Sequence, residues 1–121
     1  KALPAGRLEV KVTMHSRAGG RGQLFWQEQG VSPPFFRDRS VGFAMVHDGK
    51  HHEYRIPFTA SHPVIAVRID PGQAPGKITM AAMALLDAQG KVLHEWRFAF
   101  HSGLLYHSVP GTNETYYCYV R

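Results

Sequence analysis

A chain of 121 residues, 44% of them hydrophobic, is long enough to bury one core and too apolar to be a disordered tail. Its single cysteine, Cys118, excludes a disulfide framework and any multi-cysteine zinc site. The net charge of +5 attracts polyanions, but Lys and Arg never stand side by side, so nucleic acid is not an expected partner, and no apolar run reaches the ~18 residues of a membrane helix.

Taken in order, the chain alternates with period two. It opens at "KALPAG" without a methionine and reads as a fragment or a mature product. "RLEVKVTMH" puts Leu8, Val10, Val12 and Met14 on one face, and "SRAGGRG" ends that strand with three glycines. "QLFWQE" is a second strand, and "QGVSPPFFRDR" is a loop, because paired prolines cannot sit in a ladder. "SVGFAMVH" alternates again through Val41, Phe43 and Met45. Asp48-Gly49 then predicts a hairpin into "HEYRIPF", with His52, Tyr54, Ile56 and Phe58 aligned. "PVIAVRID" is a fifth strand with Ile65, Val67 and Ile69 inward. "KITMAAMALLD" has helix-forming composition, but its flanking turns "PGQAPG" and "DAQG" predict a strand with a bulge. "KVLHEWRFAF" is the seventh strand and "ETYYCYV" the eighth. Such short strands, turned every ~8–12 residues, predict an all-β, antiparallel sandwich or barrel, one domain over residues 1–121. The predicted core is Leu8, Val10, Val12, Phe43, Met45, Tyr54, Ile56, Ile65, Val67, Ile69 and Ile78.

Three segments, "GQLFWQEQG", "RSVGFAMVHDGKHHEYRI" and "VRIDPGQAPGKITM", resemble a known module. It is the galactose-binding-like, two-sheet antiparallel jelly-roll sandwich appended to bacterial sulfatases, glycosyltransferases and other polysaccharide-handling proteins. The matching positions are Gln23–Trp26, Arg39–Phe43, Asp48–Tyr54 and Arg68–Gly76, within residues 7–96; residues 97–121 lie outside the match. The resemblance implies a non-catalytic accessory domain whose partner is a polysaccharide or a neighbouring catalytic domain. It also implies an extracytoplasmic or cell-surface location.

The residues offer a site for such a role. Phe25 and Trp26 are neighbours in a strand, so they point to opposite faces. Either Trp26 joins Leu24 in the core and Phe25 covers an outer edge, or Phe25 is core and Trp26 lies open beside Glu28. An open indole gives a sugar ring a flat apolar face, while Gln23 and Glu28 bond its hydroxyls. Phe35 and Phe36 are further ring candidates or a lid over a core edge. Arg68 and Asp70 share one strand face as a structural ion pair or as a fork for hydroxyls, carboxylates or sulfates, and Glu53 and Arg55 line the same face. The expected ligand-binding set is therefore Trp26, Arg68, Asp70, Gln23 and Glu28.

"HDGKHH" gathers His47, Asp48, His51 and His52, but turn geometry explains Asp48 and Gly49, and His51 and His52 face opposite ways, so no metal is expected there. No cofactor is expected; calcium at Asp70 or Asp87 is the alternative, without a dense D-x-D-x-D loop behind it. Catalysis is not expected: no serine has a G-x-S-x-G setting, and Cys118 in "YYCYV" reads as packing. Asn113–Thr115 matches the glycosylation acceptor pattern. The function expected is carbohydrate binding, acidic or sulfated polysaccharide suiting the basic balance. The alternative is a structural sandwich docking on a neighbouring catalytic domain without a ligand.

Overall fold

The computed structural model describes residues 3–74, 76–97, 104–108 and 114–119, with residue 97 and the last two segments described by backbone alone. The described residues form nine strands: β1 Gly6–Ser16, β2 Gly22–Glu28, β3 Ser40–Phe43, β4 His52–Ala60, β5 Val64–Asp70, β6 Ile78–Asp87, β7 Val92–Arg97, β8 Leu104–Ser108 and β9 Glu114–Tyr119. They make two antiparallel sheets, one ordered β4-β1-β6-β7 and the other β3-β2-β5-β9-β8. The chain is an all-β, two-sheet antiparallel sandwich. Among the described residues no helix is long and apolar enough to cross a membrane. Strand β8 was not expected from the sequence, and Asn113 of the acceptor pattern lies outside the described residues.

Alternation builds the core. On β1, Leu8, Val10, Val12 and Met14 are buried while the residues between them are only half-buried. They meet Ile56, Phe58 and Ala60 of β4, Met80, Met83 and Leu85 of β6, Trp96 of β7, and the inner face of β2 and β5. Each such aliphatic side chain contributes roughly 1.5–3 kcal/mol on burial. Phe43, Met45 and Tyr54 are half-buried at the edge of this cluster.

Bulges explain where phase changes. Thr13 pairs with Ala82 but Met14 with Met80, so Ala81 is the extra residue of a bulge in β6, a strand and not a helix. Gln27 pairs with Ala66 but Glu28 with Val64, so Ile65 drops out of the ladder. Val64 is therefore fully buried, while Ile65, expected in the core, is only half-buried. The expected Asp48-Gly49 hairpin is also corrected. The turn exists, with Gly49 at φ +74°, but β3 and β4 lie in different sheets, so the segment crosses between them. Gly49 N donates to Ser16 O at 2.8 Å and His47 is tied to β1 and its following loop, which draws the segment over the sandwich end.

That end is shared by the connections β1–β2, β3–β4 and β5–β6, as the registers Gly22↔Phe43, Gln23↔Asp70, Met14↔His52 and Ser16↔Ile78 require. The β1–β2 and β5–β6 connections touch backbone to backbone. Gln73 N and Ala74 N both donate to Gly19 O, and a Cβ at Gly76 would lie 2.4 Å from Ala18 Cα, so only glycine fits there.

Candidate functional site

On β2 the outward positions are Gln23, Phe25 and Gln27; on β5 they include Arg68 and Asp70. The register sets Gln23 opposite Asp70 and Phe25 opposite Arg68. Arg68 Nε donates to Asp70 Oδ1 at 2.9 Å and Nη2 to Oδ2 at 2.6 Å, a two-pronged fork between residues two apart on one strand. The guanidinium carbon stands 4.4 Å from the centroid of the Phe25 ring and covers it. Gln23 Nε2 donates to Ser40 Oγ, whose own hydroxyl donates to Arg37 O.

Beside this row lies a depression of about 230 Å³, walled by Arg21, Gln23, Asp70 and Gln73 and floored where Gly22, Gly42 and Gly72 present no side chain. Gln73 Oε1 accepts from Arg21 N at 3.0 Å, which ties the β5–β6 connection to the residue before β2. The guanidinium of Arg21, the Nε2 of Gln73 and the Oε1 of Gln23 have no hydrogen-bond partner among the described residues. Three residues with polar atoms unpaired among the described residues therefore line one small hollow. Arg21 and Gln73 were missed from the sequence, because both stand in glycine-rich turns that carry no periodic pattern.

Of the five expected site residues, Gln23, Arg68 and Asp70 come together here and Trp26 and Glu28 do not. Trp26 is 6% exposed, with its ring 4.6 Å from that of Phe58 in the core. Its indole cannot stack on a sugar, and Phe25, the ring on the outer face, is itself capped by Arg68. Glu28 follows Trp26 inward: it is 4% exposed, and its Oε2 accepts from Trp26 Nε1 at 2.8 Å and from Ser61 N at 3.2 Å. Its Oε1 pairs with His62 Nδ1 at 2.9 Å. Burial alone would raise the Glu28 pKa, but the bonds from His62, Trp26 and Ser61 and the His62 charge outweigh it and hold it below the usual value. Glu28 anchors the β4–β5 turn to β2.

Glu53 and Arg55 are also corrected. They lie on β4, in the sheet opposite β5, where Arg55 bonds Glu9 at 3.1 Å and Glu53 at 3.3 Å. Phe35 and Phe36 sit at the far end of β2, Phe36 exposed. Asp48 bonds His52 Nε2 at 2.9 Å, and the Lys50 N–H, then His52, lower its pKa. Among the described residues no three His, Cys, Asp or Glu side chains gather as metal ligands. The carboxylate of Asp70 is taken by Arg68, and Asp87 Oδ1 accepts from Gln89 N and Lys91 N, so calcium would have to displace bonds already made. The side chain of Cys118 lies outside the described residues.

No family model matches the chain, no curated protein matches it, and no solved structure matches it.

Proposed function

We propose that the chain is a non-catalytic carbohydrate-binding domain that takes an acidic or sulfated polysaccharide at the hollow of Arg21, Gln23, Asp70 and Gln73. The observation that carries this reading is an Arg21 guanidinium with no hydrogen-bond partner among the described residues, in a hollow whose lining also includes the amides of Gln23 and Gln73. Hydroxyls pair with the amides and a carboxylate or sulfate pairs with the guanidinium. The surrounding end supports an anion: it carries Arg17, Arg21, Lys50 and Lys77 against Asp48 and Asp70, and both acids are already bonded. Recognition here rests on hydrogen bonds and charge, with no stacking ring among the described lining residues.

A docking surface on a catalytic neighbour would bury a contiguous apolar patch. The large apolar side chains most exposed among the described residues are Phe36, Val46 and Val92, on three separate segments. The deciding experiment titrates acidic and neutral polysaccharides against the wild-type chain and Arg21→Ala. A site of this size should give a Kd on the order of 10 µM–1 mM. Arg21→Ala should weaken the acidic polysaccharide about tenfold or more, since a hydrogen bond to a charged group contributes about 1.5–3 kcal/mol. If nothing binds at millimolar concentration, the docking role replaces this one.

A further inference from the structure

Six histidine side chains are described, and four are committed. His47 is held at both ring nitrogens, by Ser16 Oγ and Gly20 O. His52 bonds Asp48, His62 bonds Glu28, and His94 packs edge-on against Trp96. His15 and His51 differ. Their rings meet edge to face, with centroids 4.6 Å apart and planes at 72°. None of their four ring nitrogens has a hydrogen-bond partner among the described residues. The register puts them there: Met14 opposes His52 at the last rung of β1 and β4, so the next residues, His15 and His51, meet across the same strand pair on its outer face. His51 is exposed and His15 half-buried, so both reach solvent.

We propose that His15 and His51 chelate a divalent first-row transition-metal ion, Cu(II) most tightly, with water in its remaining positions. This goes beyond the glycan reading and does not depend on it. Neutral imidazole suits copper, nickel and zinc, whereas calcium and magnesium need oxygen ligands, and copper heads the affinity order for such donors. Metal–nitrogen bonds of about 2.0–2.1 Å place two adjacent ligand nitrogens roughly 3 Å apart. Rings 4.6 Å apart reach that spacing by turning about χ2, a broad torsion, while β1 holds the backbone of His15 and His51 stands one residue beyond the last rung of the ladder, Met14 with His52. The neighbouring cations Arg17 and Lys50 weaken the site, and Glu53, two residues from His51, is already bonded to Arg55; screening limits these effects. Two protein ligands make an exchangeable site, unlike the closed four-ligand sites that hold folds together.

The test titrates the intact chain with CuCl2 in a non-coordinating buffer. One Cu(II) should bind with two nitrogen ligands visible by electron paramagnetic resonance. Paramagnetic broadening of imidazole protons should centre on His15 and His51. His15→Gln and His51→Gln should each weaken binding by about tenfold or more, because losing a ligand costs at least as much as losing its supporting hydrogen bond, ~10–100-fold. His52→Gln should leave it unchanged. Broadening centred on the N-terminal amine, His101 or His107 would overturn the proposal, as would an unchanged Kd in both single variants. The broadening is read on the wild-type chain, so the result stands even if a variant folds poorly.

Discussion

Glu28 and Asp70 are built by the same local device and placed in opposite surroundings. Each stands two residues after a large partner on its own strand, Trp26 on β2 and Arg68 on β5, so each shares a face with that partner and bonds it. Glu28 faces inward, is 4% exposed, and adds Ser61 and His62 to its bonds. The Asp70 side chain faces outward and is 23% exposed. Strand phase decides what a carboxylate does. Inward, it must be saturated and becomes an anchor; outward, it pairs with its strand neighbour at a surface that water reaches.

The largest effect on stability is expected at Glu28. Glu28→Ala strips the acceptor from the buried Trp26 N–H and frees the Ser61 N–H, so it should destabilise the fold by about 2–4 kcal/mol in urea unfolding. Glu28→Gln keeps the shape and one acceptor oxygen and should cost less. A loss under 0.5 kcal/mol, on the order of an ordinary surface substitution, for Glu28→Ala would show that the anchor is idle.

Acid sharpens the same contrast. The folded pKa of Glu28 lies below its ordinary value of 4.5, so its charge contributes stability that is fully present above that value. That contribution is lost as pH falls through the lowered folded value. Wild-type stability should therefore fall below pH 4.5, and Glu28→Gln should flatten the fall; matched acid titrations of unfolding check this. Asp48 has the same sign of shift, but it is exposed on a turn, and Asp48→Asn should change the acid profile less than Glu28→Gln does.

Much of the contrast was legible in the sequence. The i, i+2 spacings of Trp26 with Glu28 and Arg68 with Asp70 place each pair on one face, and alternation along β1, β4 and β5 locates most of the core. A buried tryptophan two residues before a glutamate already implies a buried glutamate that needs donors. The donors could not be read, because Ser61 and His62 come from a turn more than thirty residues away. The bulge at Ile65 was equally hidden, since it depends on how β2 and β5 register and not on β5 alone. Asp48-Gly49 misled for a related reason: the pair specifies a turn, while the contacts of His47 and Gly49 with Ser16 and Gly20 decide that it links two sheets. Of the residues lining the hollow, Gln23 and Asp70 lie on patterned strands and stand among the expected residues; Arg21 and Gln73 lie in turns and do not.

The smallest effect on stability, and the sharpest test of the contrast, is expected at Asp70. The Arg68–Asp70 fork has side chains 25% and 23% exposed, and pairs in that setting contribute little because water solvates both partners once they part. Asp70→Asn should therefore shift unfolding by less than about 1 kcal/mol. Its effect on binding should be larger and of known sign. Removing one negative charge from the wall shared with Arg21 frees part of the Arg68 fork and lifts a repulsion on an incoming carboxylate or sulfate. Affinity for an acidic polysaccharide should rise relative to a neutral one, and the gain should shrink at high salt. A loss of 2 kcal/mol or more, on the order of the loss expected at Glu28, would make Asp70 an anchor of the same kind. Equal affinity changes for acidic and neutral polysaccharides would remove its charge from recognition.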